Sequence, residues 1–558
     1  MGTVYTPDWI AKQMIYFLLD NHISKSINAF GLESVNFHAL YIDGYLANES
    51  VDTIQASKLI EYLLPLKILD LSCGSGVLLL TYIEFFTFLL QYSDYNAPQC
   101  LEEMISHNIY GIDIDERAIS GFKQILSELA KTFQFSLLSI NLFCANSLID
   151  ILPLSSKKFD LVIGNPPYIG EKNNLEWFKP IKTTNFGMKY YEGKMDYFYF
   201  FIYKGYELLN SEGSLCYLSS NYFLTANGAS KLRNFIRENF NICTFVDYGD
   251  KKVFPERKLH ACAYVLQKKS TTKIDIYDDS IKLLKQIPSN QVYYSDGTFK
   301  FIISEDSKSI IDAMLVNMHS TLGSSYEIHQ GIVSGSDKHF VYSKNEQEDL
   351  PLEVRQYLKP FYKNSDVGHF YVNEETDLDI LYIDNATVND ALIRWMKPFE
   401  EKLNKRREVV KNIRNWYMLT WPREESIFNN EKIVVPQRAR TNRFAYTSKP
   451  FYASADVYYI TITERSPYSL PVLTLLLNAS LYLHWLSHMG KRKGNLLELY
   501  ATPLKEIPLP KLTEEIIIKL EQWGRELYQM NNRVDNARIE EIMSDVNKYL
   551  KDAFLIVK

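Results

Sequence analysis

Cysteine is scarce in this chain: six among 558 residues, at 73, 100, 144, 216, 243 and 262. None form a C-x-x-C pair and most sit in apolar runs, which excludes a disulfide framework or a zinc site and leaves reduced, buried thiols. The ten His are scattered without metal-ligand spacing, so no resident metal is expected. Long apolar runs are missing as well. The best stretch, Leu470 to Leu486, is interrupted by Asn478, Ser480 and His484, so no membrane span is expected. The opening MGTVYTPDW has neither the basic start nor the apolar core of a secretory signal, and with the reduced thiols a cytoplasmic setting is expected. Positive charge is not in excess either. Lys and Arg number 61 against 67 Asp and Glu, for a formal net charge of −6. Any surface for a polyanion must therefore be made by local segregation of basic residues.

What is present is an ordinary globular composition, 46% hydrophobic and 23% charged, long enough for two or three domains. Aromatics reach 14%, with 39 Tyr and 31 Phe. Large aromatic cores account for that figure, and stacking surfaces for planar ligands are its other use. From Lys67 to about Leu266 an apolar strand, a turn and an amphipathic helix alternate. KILDL (67–71) leads into CGSG and VLLLTYIEFFTFLL; NIYGIDI (108–114) precedes an acidic turn and ERAISGFKQIL. SINLFCA (139–145), FDLVIG (159–164) and GSLCYLS (213–219) are further β-rich segments. This alternation predicts an α/β doubly wound, mostly parallel sheet. ICTFVDYG (242–249) and ACAYVLQ (261–267) predict an antiparallel edge pair closing it. The stretch 276–320 is polar without a clear period and reads as a linker between a domain at 1–275 and a second, mixed α/β domain at 321–558, which ends in helices from about Glu514.

Two turns carry chemistry. In Asp70-Leu-Ser72-Cys73-Gly74-Ser-Gly76 a strand opens into a helix through glycines that let the backbone approach a ligand. The spacing is not GxGxxG, and Asp70 stands where it would repel a pyrophosphate but suit a cationic amino acid and sulfonium. A purely structural turn is the other reading. Asp113 and Ile114, in GIDID, end the next strand; Asp113 could take two ribose hydroxyls, while Asp115 fits a helix N-terminal acid. Cys144-Ala-Asn146-Ser147 follows a third strand, with an amide able to meet the edge of an adenine ring.

Asn165-Pro166-Pro167-Tyr168, directly after FDLVIG, is the most informative motif. An exocyclic aromatic amine is a poor nucleophile because its lone pair is delocalised into the ring. Two acceptors on its N–H bonds, the Asn165 side-chain oxygen and the Pro166 carbonyl, would draw the nitrogen towards tetrahedral geometry and free that pair for in-line attack on a methyl group. The prolines stiffen the backbone that carries these acceptors, and Tyr168 offers a face for stacking. The competing reading is a strand stop with a core tyrosine.

With these motifs in this order, residues 1 to about 267 resemble a gamma-class amino-methyltransferase with a Rossmann-like class I fold. The whole chain resembles the TaqI-type adenine-N6 DNA methyltransferases, CamA-like orphan members included. The resemblance implies S-adenosylmethionine as cofactor and a flipped-out adenine in double-stranded DNA as substrate. It places Tyr5, Thr6 and Pro7 against the methionine part of the cofactor. It also assigns Phe254, in Val253-Phe254-Pro-Glu-Arg-Lys-Leu, to stacking on the target base opposite Tyr168. Asp196 in KMDYFYFF matches a position beside the active site, or else caps the helix that follows. One departure is Asn146, where the family carries Asp; its oxygen still accepts a hydrogen bond while its NH2 adds donors. Altered cofactor affinity is expected.

From Arg394 to Arg443 thirteen basic residues face six acidic ones, with Trp395, Trp416, Tyr417 and Trp421 between them. Arg406, Arg407, Arg414, Trp416, Arg423, Arg438, Arg440 and Arg443 are the candidate DNA contacts. For 394–411 a solvated helix face with satisfied acids is the equal alternative. The segment from HQGIVSGSDKHFV to SADVY resembles the C-terminal target-recognition domain of the same enzymes. NPPY also occurs in protein-glutamine and RNA-adenine methyltransferases, which usually lack such a second domain, and a non-catalytic DNA-binding subunit of a defence system is a further alternative. A monomer is expected. A fused nuclease is not, so cleavage would come from a separate restriction endonuclease or defence-system partner.

Overall fold

In a computed structural model the chain divides into two compact units, Met1–Ile303 and Ser304–Lys558. The structure describes residues 5–556 apart from 138, 151–153, 155, 250, 255–259, 269–272, 295–296, 302–303, 494 and 531–535.

The first unit is built on a nine-stranded sheet. Its strands are β1 (Ile68–Asp70), β2 (Ile109–Asp113), β3 (Asn141–Cys144), β4 (Phe159–Gly164), β5 (Leu209–Ser220), β6 (Asn241–Asp247), β7 (Ala261–Gln267), β8 (Lys273–Tyr277) and β9 (Leu283–Pro288), in the order β3-β2-β1-β4-β5-β7-β6-β8-β9. The five strands from β3 to β5 pair in parallel. Both faces are covered. Along β4, Leu161 and Ile163 join one core, with the helices Asp8–Phe30 and Val77–Gln91, while Val162 joins the other, with the helix Phe198–Leu208; Phe159, before a register shift in the strand, also joins the second core. That alternation with period two explains why these strands read as unbroken apolar runs.

The expected antiparallel pair is present: β7 lies antiparallel between β5 and β6. It is not the edge. β8 runs parallel to β6 and β9 pairs antiparallel with β8, so the sheet continues into the stretch read as a linker. The helix Glu305–Val316 also falls there. In β8 the exposed Lys273 and half-buried Asp275 break the apolar run, and β9 buries only Ile287 while leaving Leu283 and Leu284 exposed, so neither shows a clear period.

The second unit holds small sheets and a helical end. Strands Glu327–Gln330, Val457–Thr461, Lys432–Pro436 and Ala445–Thr447 form one antiparallel sheet in that order. Strands Val341–Ser343, Leu378–Leu381, Leu358–Tyr362 and Tyr452–Ala453 form another. The apolar stretch near Leu470 folds as two helices, Leu470–Leu477 and Ser480–His488, meeting at 65°. Asn478 marks the break: its side chain accepts from the Phe444 amide at 3.0 Å and donates both to the Phe444 carbonyl at 2.7 Å and to the Thr474 carbonyl of the first helix at 3.0 Å. No single helix among the described residues is long and apolar enough to cross a membrane. The helices Glu514–Met530 and Asn536–Ala553 complete the unit.

Candidate active site and nucleic-acid surface

The carboxyl ends of β1, β2, β3 and β4 converge on a cleft of about 700 Å³. Crevices at this end of a parallel sheet are ligand sites because the strand-to-helix turns leave backbone donors and acceptors uncovered. The turn after β1 is shaped by Gly74 and Gly76, with φ of +51° and +89°. A Cβ at Gly76 would meet the Phe122 ring at 2.5 Å. The Cys73 amide donates to the Ile112 carbonyl at 2.9 Å and the Gly74 amide to the Asp113 carboxylate at 2.8 Å, so the β1 and β2 turns form one tied floor.

Two acids face this floor. Asp70 is 2% exposed, accepts from the Ser72 amide at 2.9 Å, and burial pushes its pKa up to about 8. Asp113 is half-buried and takes the Gly74 and Asp115 amides on its two oxygens. Asp115 caps the helix Glu116–Phe133 through the Arg117 and Ala118 amides. At the end of β3 the Asn146 oxygen accepts from the Leu148 amide at 3.1 Å, and its side chain hydrogen bonds Tyr197.

Asn165 follows Gly164, the last residue of β4. A Cβ at Gly164 would press on the Tyr217 ring at 2.9 Å and on Asp70 Oδ1 at 3.2 Å, so glycine lets the motif lie beside the buried acid. Asn165 Nδ2 donates to Thr6 Oγ1 at 3.1 Å. The Tyr168 hydroxyl donates to Asn165 Oδ1 and is 3.1 Å from the Leu218 carbonyl. Asp196 accepts from the Ile169 amide at 3.0 Å and the Phe198 amide at 3.4 Å, with its pKa raised to about 6 by burial. It thereby ties the loop after Tyr168 to the start of the helix Phe198–Leu208 and does not line the cleft.

Tyr5, Thr6, Asp70, Ser72, Cys73, Gly74, Asp113, Ile114, Asn146, Ser147, Asn165, Pro166, Pro167 and Tyr168 all line the cleft. Pro7 does not; it stands at the N-cap of the helix Asp8–Phe30. Phe254 is also outside the lining and only 3% exposed. Its ring centre is 6.0 Å from that of Tyr168 at an angle of 51°. A base sandwiched between them needs parallel rings about 7 Å apart, twice a van der Waals contact. The two rings are tilted against each other here and leave no room for a base between them, and the remainder of that motif, 255–259, lies outside the described residues. Trp177 and Tyr197, perpendicular at 6.0 Å, line the cleft without having been singled out. They stand in no recurrent motif, and Tyr197 is lost among the aromatics of KMDYFYFF.

In the second unit most candidate arginines serve the fold. Arg406 donates to the carbonyls of Leu403, Ser334, Trp416 and Met418 and to the Thr420 hydroxyl, so it stitches loops together and is no free DNA contact. Arg423 donates to the Gly331 carbonyl and Gln330, and Arg443 to the Val367 carbonyl. Arg414 donates to the Thr420 carbonyl and stacks on Trp421. Trp416 is half-buried against the core. Arg407 and Arg440 are exposed. Within 394–411, Lys397 pairs with Glu400 and Lys405 with Glu401, as a solvated surface would.

Comparison with known proteins fits this layout. Residues 107–254 match the Eco57I restriction-modification methylase family and residues 359–509 the TaqI-like C-terminal specificity domain. The chain joins an Eco57I-type methylase domain to a TaqI-like specificity domain. Among relatives of this two-domain methylase, Type II methyltransferase M.HindII of Haemophilus influenzae is 26% identical over 399 residues, 64% of this chain and 75% of that protein. M.BstVI of Geobacillus stearothermophilus is 23% identical over 528 residues, covering 83% and 91%. The fold matches that of the Type IIL restriction-modification enzyme MmeI, solved in complex with DNA, at a TM-score of 0.68 and 15% identity, over 99% of this chain and 76% of that one. DrdV, solved as a DNA complex, matches at 0.52 and 13% identity, over 95% and 57%. Part of the cleft lining, from Asp113 to Phe201, falls within the segment that matches the methylase family.

Proposed function

We propose that this methylase transfers a methyl group to the exocyclic N6 of an adenine flipped out of double-stranded DNA. The observation that carries the reading is Asn165-Pro-Pro-Tyr168 at the mouth of β4, beside the tied β1–β2 floor. The cleft suits S-adenosylmethionine by its donor set. Asp70 meets a cationic amino-acid end, Asp113 offers acceptors to sugar hydroxyls, and Asn146 presents an amide to a purine edge. When bound, the cofactor supplies an electrophilic methyl on a sulfonium.

The protein's own residues do the rest. Asn165 Oδ1 and the Pro166 carbonyl accept the two N–H bonds of the amine and concentrate its lone pair on nitrogen. The Asn165 amide faces the right way because its NH2 is held by Thr6 and its oxygen by Tyr168 until substrate arrives. Asp196 fixes the loop backbone behind Tyr168. An adenine inside a duplex hides this amine, so the base must leave the stack, and the specificity domain would grip the flanking helix. The chain acts as a cytoplasmic monomer in this reading, a point sedimentation on a target duplex would decide. The decisive experiment treats unmethylated genomic DNA with enzyme and cofactor and reads it by single-molecule sequencing, with Asn165→Ala as control. N6-methyladenine in one recurring context, absent with the variant, is the expected result. No modified adenine despite cofactor binding would sink the reading.

A further inference from the structure

We propose that a small three-stranded sheet in the second unit is a phosphate grip for duplex DNA, with Lys491 and Arg492 as cations that, among the described residues, pair with no protein group. The inference rests on the reading of the chain as a DNA methyltransferase and names the element that holds the substrate. The strands Arg438–Ala439, Leu496–Glu498 and Lys491–Lys493 pair antiparallel in that order. Register places Arg438 and Lys491 opposite Glu498 from either side, so these three side chains share one face of the sheet, while Arg492, opposite Leu497, lies on the other, and the edge strand presents a cation on each side. The outer strands lie about 10 Å apart, two strand spacings.

The charge here is one-sided. Segments 438–443 and 491–498 carry six cations and one acid, in a chain whose net charge is −6. That one acid is already used: Glu498 accepts from Arg438 Nε at 3.3 Å and from the Tyr500 hydroxyl at 2.7 Å. The Arg438 guanidinium also donates to the Tyr500 oxygen at 3.0 Å, while its side chain stays 40% exposed. An arginine fixed along one edge and open on the other has lost its rotamer freedom before binding, which favours a charge-assisted contact. Arg440 and Arg492 are exposed and Lys491 half-exposed. These side chains contrast with Arg406, Arg423 and Arg443, whose guanidinium groups are committed to the protein's own carbonyls. A duplex matches the patch through its closely spaced phosphates, and each phosphate neutralised releases condensed counterions.

The test uses the full-length protein with cofactor bound and fluorescent duplexes, one containing the methylated context and one unrelated. Affinity is measured from about 50 to 200 mM salt for wild type, K491A/R492A and R492K, with thermal melting as a folding control. The double variant should bind both duplexes more weakly, and the slope of log K against log salt should shrink by about 1.8, for two phosphates lost. Wild type would then lose about twelve-fold more affinity than the variant across that salt range. R492K keeps the charge and should keep the slope. An unchanged slope in the double variant overturns the proposal, as does a loss confined to one duplex, which would mean base reading. Wild type binding neither duplex would sink the DNA reading itself, a result distinct from a variant that behaves like wild type.

Discussion

Asp70 offers a quantitative test of the cofactor site through pH. Its carboxyl is 2% exposed and burial raises its pKa to about 8, so in the empty protein at neutral pH it is mostly protonated. A cationic ligand favours the ionised form. Binding below pH 8 must therefore expel a proton, and affinity must rise with pH. The α-amino group of the ligand has its own pKa near 8, so the clean window runs from about pH 6 to pH 7.5, where the amine stays charged. Over that range a group of pKa about 8 gives an increase in affinity of about 25-fold, or about 2 kcal/mol. Titration calorimetry in two buffers of different ionisation enthalpy would read both the affinity and the release of about one proton per site. Asp70→Asn should abolish the slope and the proton release together. Stability runs the other way. A carboxyl whose folded pKa lies above its unfolded one contributes stability that is present below the ordinary carboxylate range and lost as pH rises towards 8. The empty protein should thus melt lower at pH 8 than at pH 6 as far as this group is concerned. An affinity flat between pH 6 and 7.5, or a slope that survives in Asp70→Asn, would refute the assignment.

Three further outcomes are expected. Tyr168→Phe keeps the ring but removes the hydroxyl that holds Asn165 Oδ1, so kcat should fall by about ten-fold with cofactor Kd unchanged in calorimetry. Gly76→Ala must adopt a φ of +89° and meet the Phe122 ring at 2.5 Å; denaturant titration should show a loss of about 1–3 kcal/mol, with weakened cofactor binding. Arg406→Ala strands five acceptors in the second unit, and thermal melting should report a loss of roughly 3 kcal/mol, while the salt dependence of duplex binding by the folded protein stays as in wild type.

The central strands were legible because parallel strands covered on both faces are apolar throughout, and FDLVIG coincides with β4 residue for residue. The turns after β1 and β4 were legible because glycine and proline mark backbone shapes few other residues take. β8 and β9 were not, since β8 mixes Lys273 and Asp275 into its apolar residues and the edge strand β9 buries only Ile287, so both resemble a connecting segment. Which arginines the fold itself holds was not legible for a different reason. Counting cations in a window cannot tell Arg406, threaded onto carbonyls brought from Ser334 and Met418, from Arg440 in solvent. Likewise Trp177 reaches the cleft through the fold and through no motif, and Lys491 gains its setting only when its strand pairs beside Glu498.

Asp113 is held by two backbone amides, one on each oxygen, from Gly74 and Asp115. Each carboxylate oxygen has about two lone-pair directions, so one on each is left for a ligand. The acid is thus aimed before anything binds, and it can satisfy a vicinal diol with no reorientation. A deoxy-sugar analogue would leave one of those two remaining lone-pair directions without the hydroxyl that fits it, while the backbone amide on that oxygen stays in place. If the proposed cofactor site is right, the clasp that joins the two turns would also make the pocket a discriminator of sugars, favouring a ribose diol over a deoxy-sugar.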